Sequence, residues 1–391
     1  MNFLKKINWI NVSFILLLTP IVGIGGLIYL IHTGDMRLAT WIMAFCLLCA
    51  GGFSITVGYH RLFSHRSYKA AWPVRFLLAL FGAATFQGSI LEWCTDHRNH
   101  HLYTDTEKDP YSISEGFWYA HMGWLFTLDG SKRDYSNVEE LAKDPIIKYQ
   151  HKFYVPIAII MGFGLPMLLG SLWGDMWGGL ILGGFLRIVL NHHTTFAINS
   201  VCHVFGERKY SDKQTARDNW ITAFFTFGEG YHNFHHQFPL DYRNGIRFYQ
   251  YDPTKWIIRS LSYVGLASGL KRVDEQRILR YRLLKQEADI MKKISRYSEQ
   301  FMTQVNEFVK PVYNQILEQI EHINELKESY KQLQQGQIKA MKGKMDDYRV
   351  QLKAHKLKLK LAQVELKKNL SKWQSLVRAD QGALVSLSQM A

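Results

Sequence analysis

The sequence predicts an all-α integral membrane protein: four transmembrane helices, capped by a cytosolic, histidine-rich helical domain and followed by a C-terminal helical or coiled-coil extension. Three observations predict it. Four long runs without acidic or basic charge, one broken by a single Arg, occupy much of the first 270 residues. Histidines gather in short polar groups beside those runs. Beyond residue 270 the text turns to Lys, Glu, Gln and Leu, with an apolar residue every three or four positions. Two domains are therefore expected, 1–270 and 271–391.

Residues 7–34, 38–59 and 153–174 hold no Asp, Glu, Lys or Arg, and 176–206 is broken only by Arg187. A helix needs about 20 apolar residues to cross a bilayer, so each run is long enough. The first is also too long for the apolar region of a signal peptide. A fifth, shorter run at 76–91 is flanked by Arg75 and Glu92 and reads as an interfacial or buried helix. An Arg inside a span faces the bundle or snorkels, and Arg187 is placed for either.

The loops set the orientation. Lys5 and Lys6 precede the first run, and the 61–152 connection carries Arg61, Arg66, Lys69, Arg75, Arg98, Lys132 and Arg133. The opposite loops, "HTGDMR" and "SLWGDM", hold one Arg between them. By the positive-inside rule both termini and the long connection face the cytoplasm. A bacterial inner membrane is the expected location, since no C-terminal retrieval signal is present.

Composition excludes some classes. Net charge is +14, and residues 271–391 hold 24 Lys and Arg against 14 Asp and Glu, so +10 of it lies in the extension. That surface suits anionic lipid or an acidic partner. No nucleic acid is expected, because no zinc-finger, homeodomain or RNA-binding signature occurs. Cys46, Cys49, Cys94 and Cys202 are not a disulfide framework, and the C-x-x-C at 46–49 lies in an uncharged run where small apolar packing is expected.

The histidines repeat one pattern. "DHRNHH" at 96–101 and "HNFHH" at 232–236 both spell H-x-x-H-H. Positions i, i+3 and i+4 share one helix face, so each group can present three imidazoles inward. His60 and His65 ("HRLFSH") are five apart, which does not share an α-helical face and suits an unwinding helix end. Asn199 and His203 ("NSVCH") sit where the fourth run ends. Every group falls on the cytoplasmic side. His121, His192 and His193 stand between structural and ligand roles, whereas His32, His151, His322 and His355 carry no site.

Nine imidazoles exceed the needs of one ion. Zinc takes four ligands, often with sulfur, and imidazole suits iron, zinc, copper and nickel alike. Two octahedral irons with four or five imidazoles each would use the whole set.

Together, "HRLFSH", "EWCTDHRNHH", "NSVCHVFG" and "GYHNFHHQFP" resemble the membrane fatty-acid desaturases of the acyl-CoA Δ9 (stearoyl-CoA) type. Their pattern is H-x4-H, H-x2-H-H and H-x2-H-H. The match covers about residues 10–260, and "NHHTTFAINSVCH" resembles the bacterial branch. The resemblance implies a di-iron centre of two Fe2+ held by His60, His65, His97, His100, His101, His203, His232, His235 and His236, with Asn199 reaching an iron through water. It also implies removal of one hydrogen from each of two adjacent carbons while O2 is reduced to water. In one place the sequence departs from the pattern. Relatives often carry a histidine after the Asp-Pro that follows the second group, where this chain has Tyr111.

Each ligating imidazole needs an acceptor for its other N–H. Asp96, Asp105, Asp109 and Glu229 adjoin the histidine groups and are the candidates. The resemblance implies a long-chain acyl-CoA or other acyl chain as substrate, in a tunnel whose wall it places near Gln87, Trp93, Thr195 and Phe196, with Ala44 and Leu48 expected to set its depth; the sequence alone reads Trp93 and Phe196 as interface anchors. Arg98 is expected to meet the phosphates of the substrate's head. Electrons must come from a separate ferredoxin- or cytochrome-type donor and its reductase, because the chain has no haem, rubredoxin-like or dinucleotide motif. The alternatives are a membrane di-iron hydroxylase of a lipid or alkane, an acyl-lipid substrate, and a metal-handling scaffold. The H-x4-H spacing favours desaturation over hydroxylation.

The extension repeats Val305, Val309, Val312, Ile316, Ile323, Leu326, Tyr330 and Leu333 at coiled-coil spacing. Pro311 should kink that seam or mark its start. Self-association, donor docking, contact with membrane lipid, or packing of the appendage on itself all fit it.

Overall fold

A computed structural model describes residues 7–34, 37–127, 133–339, 345–379 and 383. It forms two compact units: Met1–Arg208 with Asp212–Val273, and Lys209–Ser211 with Asp274–Ala391.

In the first unit, α1 (Trp9–Thr33) and α2 (Leu38–Ser64) are long, apolar and joined by a short connection. The α-helical part of α2 ends at Phe53, and Ser54–Ser64 continues it as a π-helix. The predicted 76–91 run divides in two. Its first part lies in α3 (Trp72–Ala83), its last in α4 (Ile90–Tyr103), and a tight turn with Phe86 at φ 56° separates them. α5 is Tyr154–Ser171. The fourth charge-free run is helical throughout as α6, residues 176–204.

Among the described residues, three helices (α1, α2 and α5) are long and apolar enough to cross a membrane. α6 is less apolar than expected of a fourth span because Arg187, Asn191, His192 and His193 interrupt it. Arg187 faces the bundle. It is 2% exposed, and its guanidinium donates to the carbonyls of Gly183 (2.6 Å), Ala84 (3.0 Å) and Gly162 (3.3 Å). α1 and α6 cross closely, since a Cβ on Gly23 would lie 2.8 Å from the Leu186 amide nitrogen. Small residues permit such backbone approach where water cannot drive helix association.

Beyond α6 come α7 (Trp220–Phe225), α8 (His232–Gln237) and α9 (Pro253–Tyr263). Two short strands, β1 (Lys69–Ala70) and β2 (Ala267–Ser268), pair antiparallel with Lys69 opposite Ser268 and Ala70 opposite Ala267. They clip the exit of α2 to the chain after α9. The core beneath contains Tyr59, Ile90, Cys94, Ile147 and Ile258, none more than 1% exposed. All four cysteines are free.

The second unit is three helices, α10 (Glu275–Ile294), α11 (Glu299–Lys339) and α12 (Met345–Arg378). They share one core. Val305, Val309, Ile316 and Ile323 of the predicted seam are buried against Leu283 and Ile290 of α10 and Leu366 and Trp373 of α12. Full burial of each such side chain contributes about 1.5–3 kcal/mol. α11 runs through Pro311 rather than starting there.

Candidate metal centre

Each histidine arrives for a local reason. In the π-helical end of α2 the His65 amide donates to the His60 carbonyl at 3.0 Å. A π turn bonds residue i to i+5, so side chains five apart return to one face, and the two rings lie 4.8 Å apart. The expected unwound helix end is instead a widened turn. α4 starts at a capping box: the Ser89 hydroxyl accepts from the Glu92 amide (3.3 Å), and Glu92 Oε2 accepts from the Ser89 amide (2.8 Å). This fixes the helix that carries His97, His100 and His101. α8 is seated by Gly230, where a Cβ would lie 2.1 Å from the Ala223 nitrogen of α7.

The nine histidines form two groups. His60, His65, His97, His101 and His235 make one, and His100, His203, His232 and His236 the other. Within each, the ligand atoms lie within 4.8 Å of one another. α4 and α8 contribute to both groups and bridge them.

The spacing of these nitrogens fits metal ions. Neighbouring Nε2 atoms lie 2.8 Å apart for His65–His97, 2.9 Å for His101–His235, 3.0 Å for His60–His235, 3.1 Å for His203–His232 and 3.2 Å for His100–His236. With metal–nitrogen bonds of about 2.1 Å, ligands at right angles stand about 3.0 Å apart and tetrahedral ligands about 3.4 Å. The observed values match right angles. Shared protons are a poor substitute, because His235 Nε2 meets both His60 and His101, and His236 Nε2 meets both His100 and His232 (3.0 Å).

Five of the outer nitrogens face acceptors, whereas His232 Nδ1 has no hydrogen-bond partner among the described residues. His60 Nδ1 lies 2.7 Å from Glu229 Oε2. His100 Nδ1 donates to both oxygens of Asp109, at 2.9 and 3.0 Å. His97 Nδ1 meets the Tyr111 hydroxyl at 3.3 Å, His203 Nδ1 meets the Thr215 hydroxyl at 2.7 Å, and His236 Nδ1 donates to Gln214 Oε1 at 3.0 Å. An acceptor at Nδ1 puts the proton there and leaves the Nε2 lone pair pointing inward. Burial, and then repulsion from neighbouring imidazoles, pushes His97, His101, His232, His235 and His236 well below the usual histidine range. Neutral imidazoles are the form in which histidine can bind a metal ion.

A cavity of about 770 Å³ opens against the centre. His60, His97, His100 and His232 form part of its wall, while Ile55, Phe163 and Phe196 supply apolar surface. Gln87 bridges two other wall residues, donating to the Thr195 hydroxyl (3.0 Å) and accepting from the Trp93 indole (3.3 Å). Trp93 also stacks on His97, ring centroids 4.8 Å apart. Asn199 lines the same cavity, one α-helical turn from His203.

Comparison with known proteins gives the same direction. The family model described as fatty acid desaturase matches residues 39–267, which contain every one of these histidines and Asn199. The chain belongs to the fatty acid desaturase family. It is 45% identical over 279 residues to a probable acyl-CoA desaturase of Schizosaccharomyces pombe, covering 71% of this chain and 57% of that protein. It is 42% identical over 294 residues to acyl-CoA desaturase 1 of Saccharomyces cerevisiae, covering 75% and 57%. Stearoyl-CoA desaturase 5 of Bos taurus is 36% identical over 283 residues, covering 70% and 82%. The chain thus spans little more than half the length of the two yeast relatives.

Within this family member the four acidic candidates separate. Glu229 and Asp109 touch histidines of the two groups directly, His60 and His100 respectively. Asp105, at φ 67°, acts through Thr215, whose hydroxyl donates to it at 2.6 Å and whose amide donates at 2.7 Å. Against the upward push of burial, bonds from His203 and Thr215 hold Asp105 at about 2. Asp96 pairs with Arg133 at 2.8 Å instead of a histidine. Arg98 is turned inward, donating to the carbonyls of Ser64 and Phe63 (both 3.0 Å) and to Glu140 (2.7 Å).

Arg61 corrects its reading as a loop charge. It is 1% exposed and pairs with Glu229 (2.8 Å) and Asp252 (3.0 Å). His121 bonds Ser200 (2.9 Å) and His193 (3.0 Å), and His192 meets the Thr85 carbonyl (2.8 Å), all outside the two groups. Sequence reasoning did not find Thr215, Gln214 or Asp252. They are polar residues in irregular segments with no spacing signal.

Proposed function

We propose that this family member is an O2-dependent fatty acyl desaturase that introduces a cis Δ9 double bond into a long-chain saturated acyl-CoA. The observation that carries the reading is the junction of the two histidine groups with the apolar cavity. His60, His97, His100 and His232 belong to both. The relatives' names, acyl-CoA and stearoyl-CoA desaturase, favour the thioester substrate. His60, His65, His97, His101 and His235 would hold one iron and His100, His203, His232 and His236 the other, with Asn199 reaching an iron through water. When bound, the irons supply the O2 chemistry that breaks two unactivated C–H bonds.

The chain's own residues do the rest. The cavity wall positions the acyl chain, and its size lies within the range of ligand sites. Glu229, Asp109, Thr215, Gln214 and Tyr111 hold protons on outer imidazole nitrogens, and the apolar lining limits water. Desaturation takes two protons and two electrons from the chain. Full reduction of O2 to two waters needs two electrons more, which a ferredoxin- or cytochrome-type donor and its reductase supply, and two protons more, which come from solvent.

The topology follows the same reading. α6 crosses with α1, α2 and α5, both termini and the centre face the cytoplasm, and the membrane is a bacterial inner membrane. Gas chromatography–mass spectrometry of acyl chains in a host lacking a desaturase tests the function. The intact chain should yield a new monounsaturated chain that disappears with His100→Ala. Hydroxylated chains in its place would overturn desaturation.

A further inference from the structure

The second unit carries a surface that its own core does not use. One side of α12 enters the bundle through Leu366, Trp373 and Leu376, which are 8%, 1% and 3% exposed. The opposite side is also apolar. Val350, Leu357, Leu361 and Val364 are 67%, 59%, 61% and 61% exposed. At 100° per residue these four lie within a narrow outward stripe. With a rise of about 1.5 Å per residue, the stripe from Val350 to Val364 is about 21 Å long.

Charge surrounds it. Residues 349–372 hold eight Lys and Arg and a single acid, Glu365. Towards the C-terminal end, Lys367, Lys368 and Lys372 line a shallow groove with the Ser371 and Ser375 hydroxyls.

We infer that this outer face of α12 docks on an anionic bilayer surface, with the apolar stripe entering the headgroup boundary and the lysines meeting lipid phosphates. Val350, Ala354, Leu357, Leu361 and Val364 also stand at a/d spacing, so the charges beside the stripe decide against a second copy as occupant. In that register Lys353, Lys358, Lys360, Lys367 and Lys372 fill e and g positions, where a second copy would set like charges against one another. An anionic interface welcomes the same arrangement, because amphipathic helices with basic flanks lie flat on such surfaces. The same polypeptide carries three membrane-length helices, which keep a bilayer within reach. This inference does not depend on the desaturase reading.

The test uses the full chain with Cys46→Ser and Cys49→Ser and a nitroxide on Leu361→Cys, reconstituted in nanodiscs. One set is phosphatidylcholine alone, and the other contains about one-third phosphatidylglycerol to supply the anionic surface. In the anionic discs the label should lose several-fold of its accessibility to a water-soluble nickel chelate and gain accessibility to oxygen. High salt should reverse this. Each lysine near the surface is worth about fivefold in partition, so Lys353→Gln, Lys360→Gln and Lys367→Gln together should weaken docking on the order of a hundredfold. Equal accessibility in both discs would overturn the inference. So would protection in neutral discs with spin–spin broadening that vanishes on dilution with unlabelled chain, which would identify a second copy. Acyl products measured on the same preparations keep this outcome separate from that of the enzyme reading.

Discussion

Replacing Asp109 with Asn should weaken one metal site and spare the other. Asp109 is 4% exposed and gives both carboxylate oxygens to His100 Nδ1, at 2.9 and 3.0 Å. It also accepts from the Asp105 amide at 3.1 Å and the Tyr111 amide at 3.2 Å. Asparagine keeps the shape but removes the charge and turns one acceptor into a donor, which must face an N–H. Losing such a support to a ligand imidazole costs about 10- to 100-fold in metal affinity, about 1.4–2.7 kcal/mol. His100 belongs to the group of four, with His203, His232 and His236. The loss should therefore fall there. The assay is iron per chain against rising chelator, read by plasma mass spectrometry after gel filtration. Against the native chain, release from the group of four should become about 10- to 100-fold easier while release from the group of five stays where it was. Simultaneous easing of both steps, or of neither, would refute the assignment of Asp109 to one group.

Glu229→Gln should produce the mirror result, easing release from the group of five through His60. It should also lower the melting temperature more than Asp109→Asn does, because Arg61 stays buried with Asp252 as its remaining carboxylate; breaking a buried pair costs about 3–5 kcal/mol. Gly230→Ala drives a Cβ into the Ala223 backbone, an overpacking cost of about 1–3 kcal/mol or more. It should reduce iron content and the yield of folded chain together, as read by size-exclusion chromatography. In the second unit Trp373→Ala removes a side chain 1% exposed whose indole donates to Gln286 at 2.9 Å. A loss of about 3–5 kcal/mol should appear as faster amide exchange across α10–α12, with exchange around the histidines unchanged.

The parts legible in the sequence were those written in local spacing. The i, i+3, i+4 groups at 97–101 and 232–236 do point inward, and the apolar runs do form long helices. What spacing did not show was which histidine joins which group. α4 sends His97 and His101 one way and His100 the other, because the metal groups lie on both sides of a single helix face. The five-residue interval of His60 and His65 was misread because an α-helical wheel has no place for it, and nothing local announces a π turn. Adjacency in sequence also favoured Asp96, which structure gives to Arg133, and hid Thr215, which is brought in from 110 residues beyond Asp105. Arg61 and Arg98 looked like loop charges because a sequence does not tell a buried guanidinium from a solvated one. The seam of the extension was sound as a pattern, yet its partners are helices of the same chain.

The indole of Trp93 sits at a junction with an optical consequence. It is a wall of the apolar cavity, it bonds Gln87, and it stacks on His97 at 24° between planes. A molecule entering the cavity and an ion joining the histidines therefore both perturb one chromophore. The difference in emission between the native chain and Trp93→Phe isolates its signal from the other tryptophans, so loading of the centre and filling of the cavity can be timed against each other in one cuvette.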